Sequence, residues 1–322
     1  MTIKISVVIP VFNESGAITT LIKKIDNVLS KNYQGNFEVL LVDDGSTDNT
    51  YEVLIKEKTY FNWLKVITLA RNYGQSTALQ AGFDFSTGDI IVTMDGDLQN
   101  EPEDIPKLLN LIKENKNIDL VSGWRKNRYD ATVTRKIPSK IANSLISKVT
   151  GVKLHDYGCS LKVYRSEIIK NIRLYGEMHR FIPAIAAEVG ARIIEVPVKH
   201  HPRTTGVSKY GIDRTARVLL DLIWIKFSRK FIHRPIHAFG GMALIMLISG
   251  LLIFSWLFFE KIFLGNDIGG RPLLILGLLL TLIGTQLLAV GLVGELLTRI
   301  YHEPHGRKQY LIKKISSSED NQ

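Results

Sequence analysis

The stretch "VTMDGDLQN" places two carboxylates, Asp95 and Asp97, one residue apart directly after an apolar run. In a turn that follows a strand, such residues can point to the same side, so both side chains can reach one ion. Hard divalent cations such as Mg²⁺ and Mn²⁺ take oxygen ligands from carboxylates, and phosphate and water complete the shell. An Asp-x-Asp pair is common in loops, so its meaning depends on the elements that position it.

Short apolar runs alternate with amphipathic segments along the first half of the chain. The run "KISVVIPVF" precedes residues 17–31, in which apolar side chains recur at helical spacing. The same order recurs with "FEVLLVDD", "WLKVITLA" and "DIIVTMDGD" as the apolar runs. Strands that are apolar on both faces and alternate with helices are typical of a parallel sheet. The sequence therefore predicts an α/β fold.

Polar residues follow each predicted strand of this sheet. They are Asn13 and Glu14, Asp43 and Asp44, Arg71 and Asn72, and Asp95 and Asp97. Ligands of such sheets bind beyond the carboxyl ends of the strands, where these loops gather. Neither the G-x-G-x-x-G nor the G-x-x-x-x-G-K-[ST] phosphate loop is present. An acidic rim would repel a nucleotide diphosphate unless Mg²⁺ or Mn²⁺ lay between them.

Two long segments without charged residues lie near the C-terminal end, at residues 238–259 and 272–294. As helices they are about 33 Å long or slightly more, at ~1.5 Å per residue, and can cross the ~30 Å hydrocarbon core. Two buried core helices are the alternative, but core helices seldom lack charge for so long. We expect a transmembrane hairpin within residues 236–300.

The segments on either side of this hairpin are basic. Residues 211–235 have helical spacing and predict an amphipathic helix in the lipid headgroup layer, with packing on the soluble domain as the alternative. Residues 301–322 form a basic tail. Basic residues are sparse between the spans, so both termini and the domain at residues 1–210 should face the cytoplasm, at the plasma or inner membrane.

Export of the N-terminal domain is not expected. The start "MTIKISVVIPVFNE" has too short an apolar run for a signal peptide. Cys159 is the only cysteine, so no intrachain disulfide can form, which fits a reducing compartment. The net charge of +10 could indicate nucleic acid binding. With two spans present, an anionic leaflet or a phosphate-bearing substrate explains this charge more simply, and no nucleic acid partner is expected.

Five motifs, in this order and at this spacing, carry a resemblance to a known family. They are "SVVIPVFNE", "LLVDDGSTDNT", "LARNYG", "TGDIIVTMDGDLQN" and "DYGCSLKVYR". Residues 1 to about 210 resemble the family 2 glycosyltransferases of GT-A fold, and more narrowly the polyprenyl-phosphate sugar transferases. The two spans resemble those of the bactoprenol subgroup. This resemblance implies a Rossmann-like, mostly parallel sheet and the transfer of a sugar, with inversion, from a nucleotide diphosphate to a polyprenyl phosphate.

The resemblance also implies roles for residues at the matching positions. Those expected to bind the sugar donor are Pro10, Phe12, Glu14, Asp43, Asp44, Ser46, Arg71, Asp95 and Asp97. Among them Asp44 would read the base, and "RNYGQ" around Arg71 could instead be a helix-capping loop. The expected metal ligands are Asp95, Asp97 and Gln99, and the expected acceptor-phosphate residues are Arg125, Arg135, Arg203 and Lys209. A solvated basic face is the alternative for some of these cations.

Asp156 in "HDYGCS" matches the catalytic carboxylate of the family. A lipid monophosphate has a second pKa near ~6, by analogy with phosphorylated side chains, so it is largely a dianion at neutral pH and needs little help from a base. Two roles for Asp156 therefore stay open: a proton acceptor, or a carboxylate that orients Arg125 or the acceptor.

The subgroup resemblance favours glucose from UDP-glucose, with formamido-arabinose, galactose and mannose as alternatives. A non-catalytic protein that binds a nucleotide sugar and assists a lipid flippase is the alternative function. The intact Asp95, Asp97 and Asp156 favour the enzyme. The oligomeric state stays open, a homo-oligomer included.

Overall fold

The computed structural model describes residues 3–33, 35–126, 146–147, 150–174, 176, 178–202 and 235–302. The chain divides into two compact units, Met1–Ile223 and Trp224–Gln322. Of the predicted interfacial segment, residues 211–234 lie outside the described residues, as do residues 303–322 of the predicted tail.

The first unit alternates strands and helices, as the hydrophobic pattern predicts. Its described strands are β1 (Ile5–Val11), β2 (Phe37–Asp43), β3 (Leu64–Thr68), β4 (Ile90–Thr93), β5 (Leu120–Trp124), β6 (Lys162–Arg165) and β7 (Ile193–Pro197). Its described α-helices are α1 (Ser15–Asn32), α2 (Thr50–Lys58), α3 (Gln75–Phe85), α4 (Ile105–Glu114), α5 (Ser166–Ile169) and α6 (Ile182–Glu188). Two short 3₁₀ helices, Pro102–Asp104 and Met178–Phe181, precede α4 and α6.

These strands form one sheet in the order β3-β2-β1-β4-β6-β5-β7. β1 pairs in parallel with β2 and β4, β2 with β3, and β5 with β7. β6 runs antiparallel to both of its neighbours, β4 and β5. The prediction of a mostly parallel α/β sheet is confirmed. The strand order changes direction between β1 and β4. Open sheets of this kind form a ligand crevice at that position.

The central strands are apolar because helices cover both faces of the sheet. All of β2 is buried, and so is β1 apart from the half-buried Pro10. α1 buries one apolar stripe against this sheet, as its helical spacing predicts. α3 packs closely on β1, since a Cβ added at Gly82 would lie 2.2 Å from Cγ1 of Val8. This packing places the N-terminus of α3 beside the carboxyl ends of the strands.

The opposite edge of the sheet contains a buried carboxylate, Glu38, at the start of β2. Glu38 Oε1 accepts hydrogen bonds from Ser6 Oγ at 2.6 Å and from the backbone N–H and hydroxyl of Thr87 at 2.7 and 2.8 Å. Its other oxygen forms an ion pair with Lys65 Nζ at 2.7 Å. Burial alone would raise the pKa of Glu38, but the ion pair and hydrogen bonds together lower it to about 2. This network joins β1, β2, β3 and the turn before β4.

The second unit contains two long helices, α7 (Pro235–Phe263) and α8 (Pro272–His302). Within them Phe239–Phe263 and Pro272–Gly294 are long and apolar enough to cross a membrane. The prediction of two apolar C-terminal helices is confirmed. α7 extends past the predicted end of the first span at residue 259, and α8 extends to His302, within the predicted tail. The charged residues Lys261 and Arg299 do not end the helices, because a charged side chain leaves the backbone hydrogen bonds intact.

α7 and α8 pack against each other through small residues. A Cβ at Gly250 would lie 2.4 Å from Thr281 Oγ1, and one at Gly284 would lie 3.0 Å from the carbonyl oxygen of Ala243. Glycine therefore lets the two backbones approach closely, as is common between helices in lipid.

Glu38→Gln should remove the charge and the ion pair while preserving the size of the side chain. Because the pKa of Glu38 falls from an ordinary value of 4.5 to about 2 on folding, its contribution is present above pH 4.5 and lost as the pH falls towards 2. We expect the variant to lose up to about 3 kcal/mol of stability at pH 7, and this difference to shrink below pH 4.5. Thermal melts of the full chain in detergent measure it. The exposed Glu52→Gln is the control, and an equal shift in both variants at pH 7 would contradict the assignment.

Candidate active site

The loops after β1 and β2 are tied together by short polar side chains. Asn13, which has φ of +54°, donates its backbone N–H to Ser46 Oγ at 2.9 Å and accepts from the Thr47 N–H at 2.8 Å. The Ser46 N–H in turn donates to Asp43 Oδ1 at 3.0 Å. Asp43 and Ser46 therefore support the loop. Their part in binding the sugar donor stays a prediction. Glu14 is the N-cap residue that precedes α1, and its N–H donates to Thr50 Oγ1 at 3.0 Å.

Asp44 links the β2 loop to the loop before α3. Its two carboxylate oxygens accept the backbone N–H groups of Tyr73 and Gly74 at 2.8 and 2.9 Å. Burial raises the pKa of Asp44, the two N–H donors lower it, and the charge of Asp43 raises it, so that the net shift is upward. Only glycine suits the next position, because Gly45 has φ of +67° and a Cβ there would lie 2.4 Å from the backbone carbon of Arg71.

Arg71 lies in this second loop, and its guanidinium stacks over the ring of Tyr73 at 4.2 Å from the ring centroid. The sequence leaves open that "RNYGQ" is a helix-capping loop instead. α3 does begin at Gln75, directly after this loop, but Gly74 occupies the N-cap position and no side chain among the described residues caps the helix. The exposed Arg71 is thus available at the rim of the crevice.

The two aspartates of the opening motif lie directly after β4. Asp95 Oδ1 accepts a hydrogen bond from Gln75 Nε2 at 2.8 Å, and the Asp95 N–H donates to Asn100 Oδ1 at 3.3 Å. Asp97 is buried, and its Oδ1 accepts the Gln99 N–H at 3.2 Å. Leu98, between Asp97 and Gln99, has φ of +62°. A non-glycine residue in this region costs about 1–3 kcal/mol, and such strain is concentrated at functional sites.

These residues fit a hard divalent cation. No group of three acidic, histidine or cysteine side chains gathers within the part of the chain that the structure describes. Mg²⁺ in nucleotide sites is usually held by only one or two carboxylates, with phosphate and water as the other ligands, so Asp95 and Asp97 suffice. Gln99 Nε2 donates to the backbone oxygen of His201 at 3.4 Å. The role of Gln99 as a ligand stays a prediction.

Asp156 forms a buried ion pair with Arg125. Arg125 Nε and Nη2 donate to the two carboxylate oxygens at 2.7 and 2.9 Å, and the Arg125 N–H also points to Oδ2 at 3.3 Å. Burial alone would lower the pKa of the guanidinium, but its contacts with Asp156 raise that pKa overall. Of the two roles that the sequence leaves open for Asp156, this geometry favours the orientation of Arg125.

Glu195 on β7 holds the backbone around Asp156, and the sequence analysis did not identify it. Its Oε1 accepts the Asp156 N–H at 2.9 Å, and its Oε2 accepts the His155 N–H at 3.0 Å and lies 2.7 Å from His155 Nδ1. The His155 ring also stacks on Trp124, with 4.4 Å between the ring centroids. Glu195 thus fixes the backbone beneath Asp156. Only its acidic character in an otherwise apolar strand, "IIEVP", could have signalled it.

A small cavity lies beside Asp95, with a volume of about 50 Å³. Its polar lining residues are Gln75, Thr93, Asp95, Tyr157, Ser160, Lys162, Tyr164, His179 and Arg180. Ser160 Oγ donates to Asn100 Oδ1 at 2.7 Å, which connects this cavity to the loop of Asp95. Burial raises the pKa of the neighbouring Cys159 thiol to about 11, so it stays protonated at neutral pH.

Contacts therefore connect most of the predicted site. Asp44 holds the loop that leads into Gln75, and Gln75 holds Asp95. Asp95 in turn contacts Asn100, which accepts a hydrogen bond from Ser160. Pro10 lies near the end of β1 and Phe12 directly after it, and their part in donor binding stays a prediction. Three predicted acceptor residues, Arg135, Arg203 and Lys209, lie outside the described residues.

Comparison with known proteins decides the family. The model of the family described as "Glycosyl transferase family 2" matches residues 6–173. The chain belongs to glycosyl transferase family 2. Within this family, the chain is 46% identical over 320 residues to a dodecaprenyl-phosphate galacturonate synthase of Rhizobium johnstonii, covering 98% of this chain and 93% of that protein.

Solved structures of other proteins share the fold. A glucosyl-3-phosphoglycerate synthase from Mycobacterium tuberculosis, crystallised with Mn²⁺, uridine diphosphate and phosphoglyceric acid, is 20% identical. It matches with a TM-score of 0.55 over 70% of this chain and 78% of that chain. The same synthase with Mg²⁺ and uridine diphosphate is 21% identical and has a TM-score of 0.54, over 70% of this chain and 79% of that chain. The predicted GT-A fold is thereby confirmed, and this family 2 chain is a glycosyltransferase.

Asp156→Asn should destabilise this glycosyltransferase, because it removes a charged acceptor from the buried Arg125 guanidinium. Hydrogen bonds to charged groups contribute about 1.5–3 kcal/mol, and we expect a loss in that range, measured by denaturation of the full chain in detergent. Asp84→Asn is the matched control, since Asp84 pairs with Arg173 at the surface, where ion pairs contribute about 0–1 kcal/mol. A loss no larger than that of the control would show that the Asp156–Arg125 pair is not a stabilising contact.

Proposed function

We propose that this chain transfers galacturonate from a nucleoside diphosphate to a polyprenyl phosphate such as dodecaprenyl phosphate. The observation that carries this choice is the 46% identity to a dodecaprenyl-phosphate galacturonate synthase over 98% of the chain, the two apolar C-terminal helices included. The sequence motifs alone favour glucose, and the comparisons do not support that choice of sugar. The change of sugar leaves the type of reaction unaltered.

The crevice beyond β1, β2 and β4 is suited to a nucleoside-diphosphate sugar. The loops that carry Asp43, Asp44 and Ser46 would enclose the nucleoside, and the exposed Arg71 would lie near the diphosphate. Asp95 and Asp97 would hold Mg²⁺ or Mn²⁺, which would supply positive charge against the leaving diphosphate. In a site from which water is excluded, such electrostatic stabilisation is a large contribution to the rate.

The acceptor phosphate would bind on the side of Arg125. A guanidinium offers a planar pair of donors that suits a phosphate, and Asp156 fixes its plane through Nε and Nη2. Because the lipid phosphate is largely a dianion at neutral pH, it can attack the first carbon of the sugar without a base. In this proposal Asp156 is a positioning residue that acts through Arg125. Arg135, Arg203 and Lys209 stay proposed as further acceptor cations.

The two apolar helices are proposed to anchor the enzyme in the plasma or inner membrane, with the catalytic domain and both termini cytoplasmic. A polyprenyl phosphate is confined to the bilayer, so an enzyme held at its surface meets the headgroup far more often than a free one would.

A screen of sugar donors tests the proposed sugar. Membranes that contain the full chain are incubated with polyprenyl phosphate, Mn²⁺ and UDP-galacturonate, UDP-galactose or UDP-glucose in turn. We expect a lipid-linked product, identified by its mass, to form fastest with UDP-galacturonate. A preference for a neutral hexose would refute the galacturonate assignment, and no product from any donor would refute the enzyme.

Asp97→Asn tests the metal assignment. The substitution keeps the shape of the side chain but removes one charged oxygen ligand, so we expect Mn²⁺ binding, measured by electron paramagnetic resonance, to weaken and transfer to fall by about 10²-fold or more. Glu103→Gln is the control, since Glu103 is an exposed carboxylate close to the same loop. Unchanged Mn²⁺ affinity in the Asp97 variant would place the metal elsewhere.

A further inference from the structure

Arg125 directly follows β5 and offers more N–H donors than Asp156 uses. A guanidinium has five N–H donors, and the Asp156 carboxylate accepts from Nε and Nη2. Within the described part of the chain, no acceptor bonds to Nη1. Nη1 and the second N–H of Nη2 therefore form an edge whose plane the ion pair fixes. Two parallel donors of this kind suit a phosphate.

The Arg125 guanidinium also lies within electrostatic range of the loop after β4. Burial lowers the pKa of Arg125, but its contacts with Asp156 raise that pKa overall, and the charge of Asp95 adds to the rise. Asp95 is a proposed ligand of the metal that would hold the sugar donor. Because donor and acceptor have to meet for transfer, a phosphate bound by Arg125 would need an accurately fixed position.

Glu195 fixes the backbone that carries the Asp156 carboxylate. The Glu195 side chain is only 9% exposed. Its Oε1 accepts the Asp156 N–H at 2.9 Å, and its Oε2 accepts the His155 N–H at 3.0 Å. β7 pairs with β5 in a register that sets Glu195 opposite Ser122, three residues before Arg125. The loop of Asp156 is thus tied to the same part of the sheet from which Arg125 extends.

Gly158 leaves the space that the ion pair needs. Its N–H donates to Asp156 Oδ1 at 3.1 Å, and a Cβ at this position would lie 3.0 Å from Arg125 Nη2. A side chain here would push the guanidinium away from the carboxylate. Backbone and side chain of Asp156 are therefore both held, the backbone by Glu195 and the carboxylate by Arg125 and Gly158.

We infer that Glu195 is a positioning residue for the acceptor phosphate, and that it acts through Asp156 on the orientation of Arg125. The inference rests on the proposed function, which places the acceptor phosphate on the side of Arg125. Displacement of a reacting group by about 1 Å can lower a rate by about 10²-fold. A support that is part of the sheet keeps the guanidinium plane fixed before the lipid arrives.

Glu195→Gln tests the inference, because the side chain keeps its size while an NH₂ group that cannot accept an N–H replaces one oxygen. We expect KM for polyprenyl phosphate to rise by about 10–100-fold, by analogy with loss of the groups that orient metal ligands. KM for the sugar donor that the wild type uses should stay unchanged. Glu38→Gln is the matched control: it removes another buried glutamate of the sheet, at the edge opposite the crevice, and should lower stability without changing either KM.

Gly158→Ala reaches the same guanidinium without touching Glu195. We expect the same rise in KM for polyprenyl phosphate. Because both substitutions displace one group, kcat/KM for the acceptor in the double variant should fall by less than the product of the two single losses. Losses that multiply would show independent effects and would overturn the inference, and so would an acceptor KM that stays at the wild-type value in both single variants.

A purely structural role for Glu195 predicts a different result, in which KM for donor and acceptor change together or in which Glu38→Gln has the same effect. Either outcome would overturn the inference, as would a fall in kcat alone. A binding measurement needs no sugar transfer: polyprenyl phosphate, added in detergent without a donor, should raise the midpoint of thermal unfolding less in Glu195→Gln than in Glu38→Gln. Equal rises would contradict the inference.

The proposed function is read separately, from the lipid product of the wild-type enzyme. Galacturonate transfer with unchanged acceptor KM in the variants would leave the proposed function in place and remove the role of Glu195. Transfer of another sugar by the wild type would remove the galacturonate assignment, while the effect of Glu195→Gln on acceptor binding would still stand.

Discussion

Crowding of carboxylates at one edge of a parallel sheet is the constraint on which the rest of this structure depends. Asp43, Asp44, Asp95 and Asp97 all follow strands that end at the same crevice, and like charges so placed repel one another. The structure offsets this repulsion with N–H donors: backbone amides on Asp43, Asp44 and Asp97, and the Gln75 side chain on Asp95. The same hydrogen bonds join the loops, so they both reduce the repulsion between the carboxylates and hold the loops in place. A cation shared by Asp95 and Asp97 would further reduce the repulsion between these two carboxylates.

Arg125 and Lys162 are cations with little exposure to solvent, and each is stabilised differently. Arg125 has a bidentate carboxylate partner in Asp156, which offsets its desolvation. The Lys162 ammonium donates hydrogen bonds to backbone oxygens, which carry no full charge. The first arrangement is suited to rigid orientation of a guanidinium towards an acceptor phosphate. The second leaves the ammonium among the groups that line the cavity beside Asp95.

The first four strands could be located from the sequence to within a few residues, because their apolar runs and the polar residues at their ends are local features. β6 could not. The segment "LKVYR" has the same composition whichever way the strand runs, and its antiparallel place between β4 and β5 depends on pairings with distant residues. That placement is what brings Ser160 and Lys162 beside Asp95. The contact of Glu195 with the Asp156 loop was missed for the same reason, since it joins residues that are distant in the sequence.

The order of residues along the chain determined the type of each element, the acidic loops after the strands and the two apolar helices, because these follow from periodicity, charge and length over short distances. Tertiary structure alone decided which charges became partners. Asp156 meets Arg125 across 31 positions and Glu195 across 39, and no local preference records such a contact. Burial made those choices energetically decisive, because a charge removed from water is stable only beside a complementary group, and folding determines which group that is.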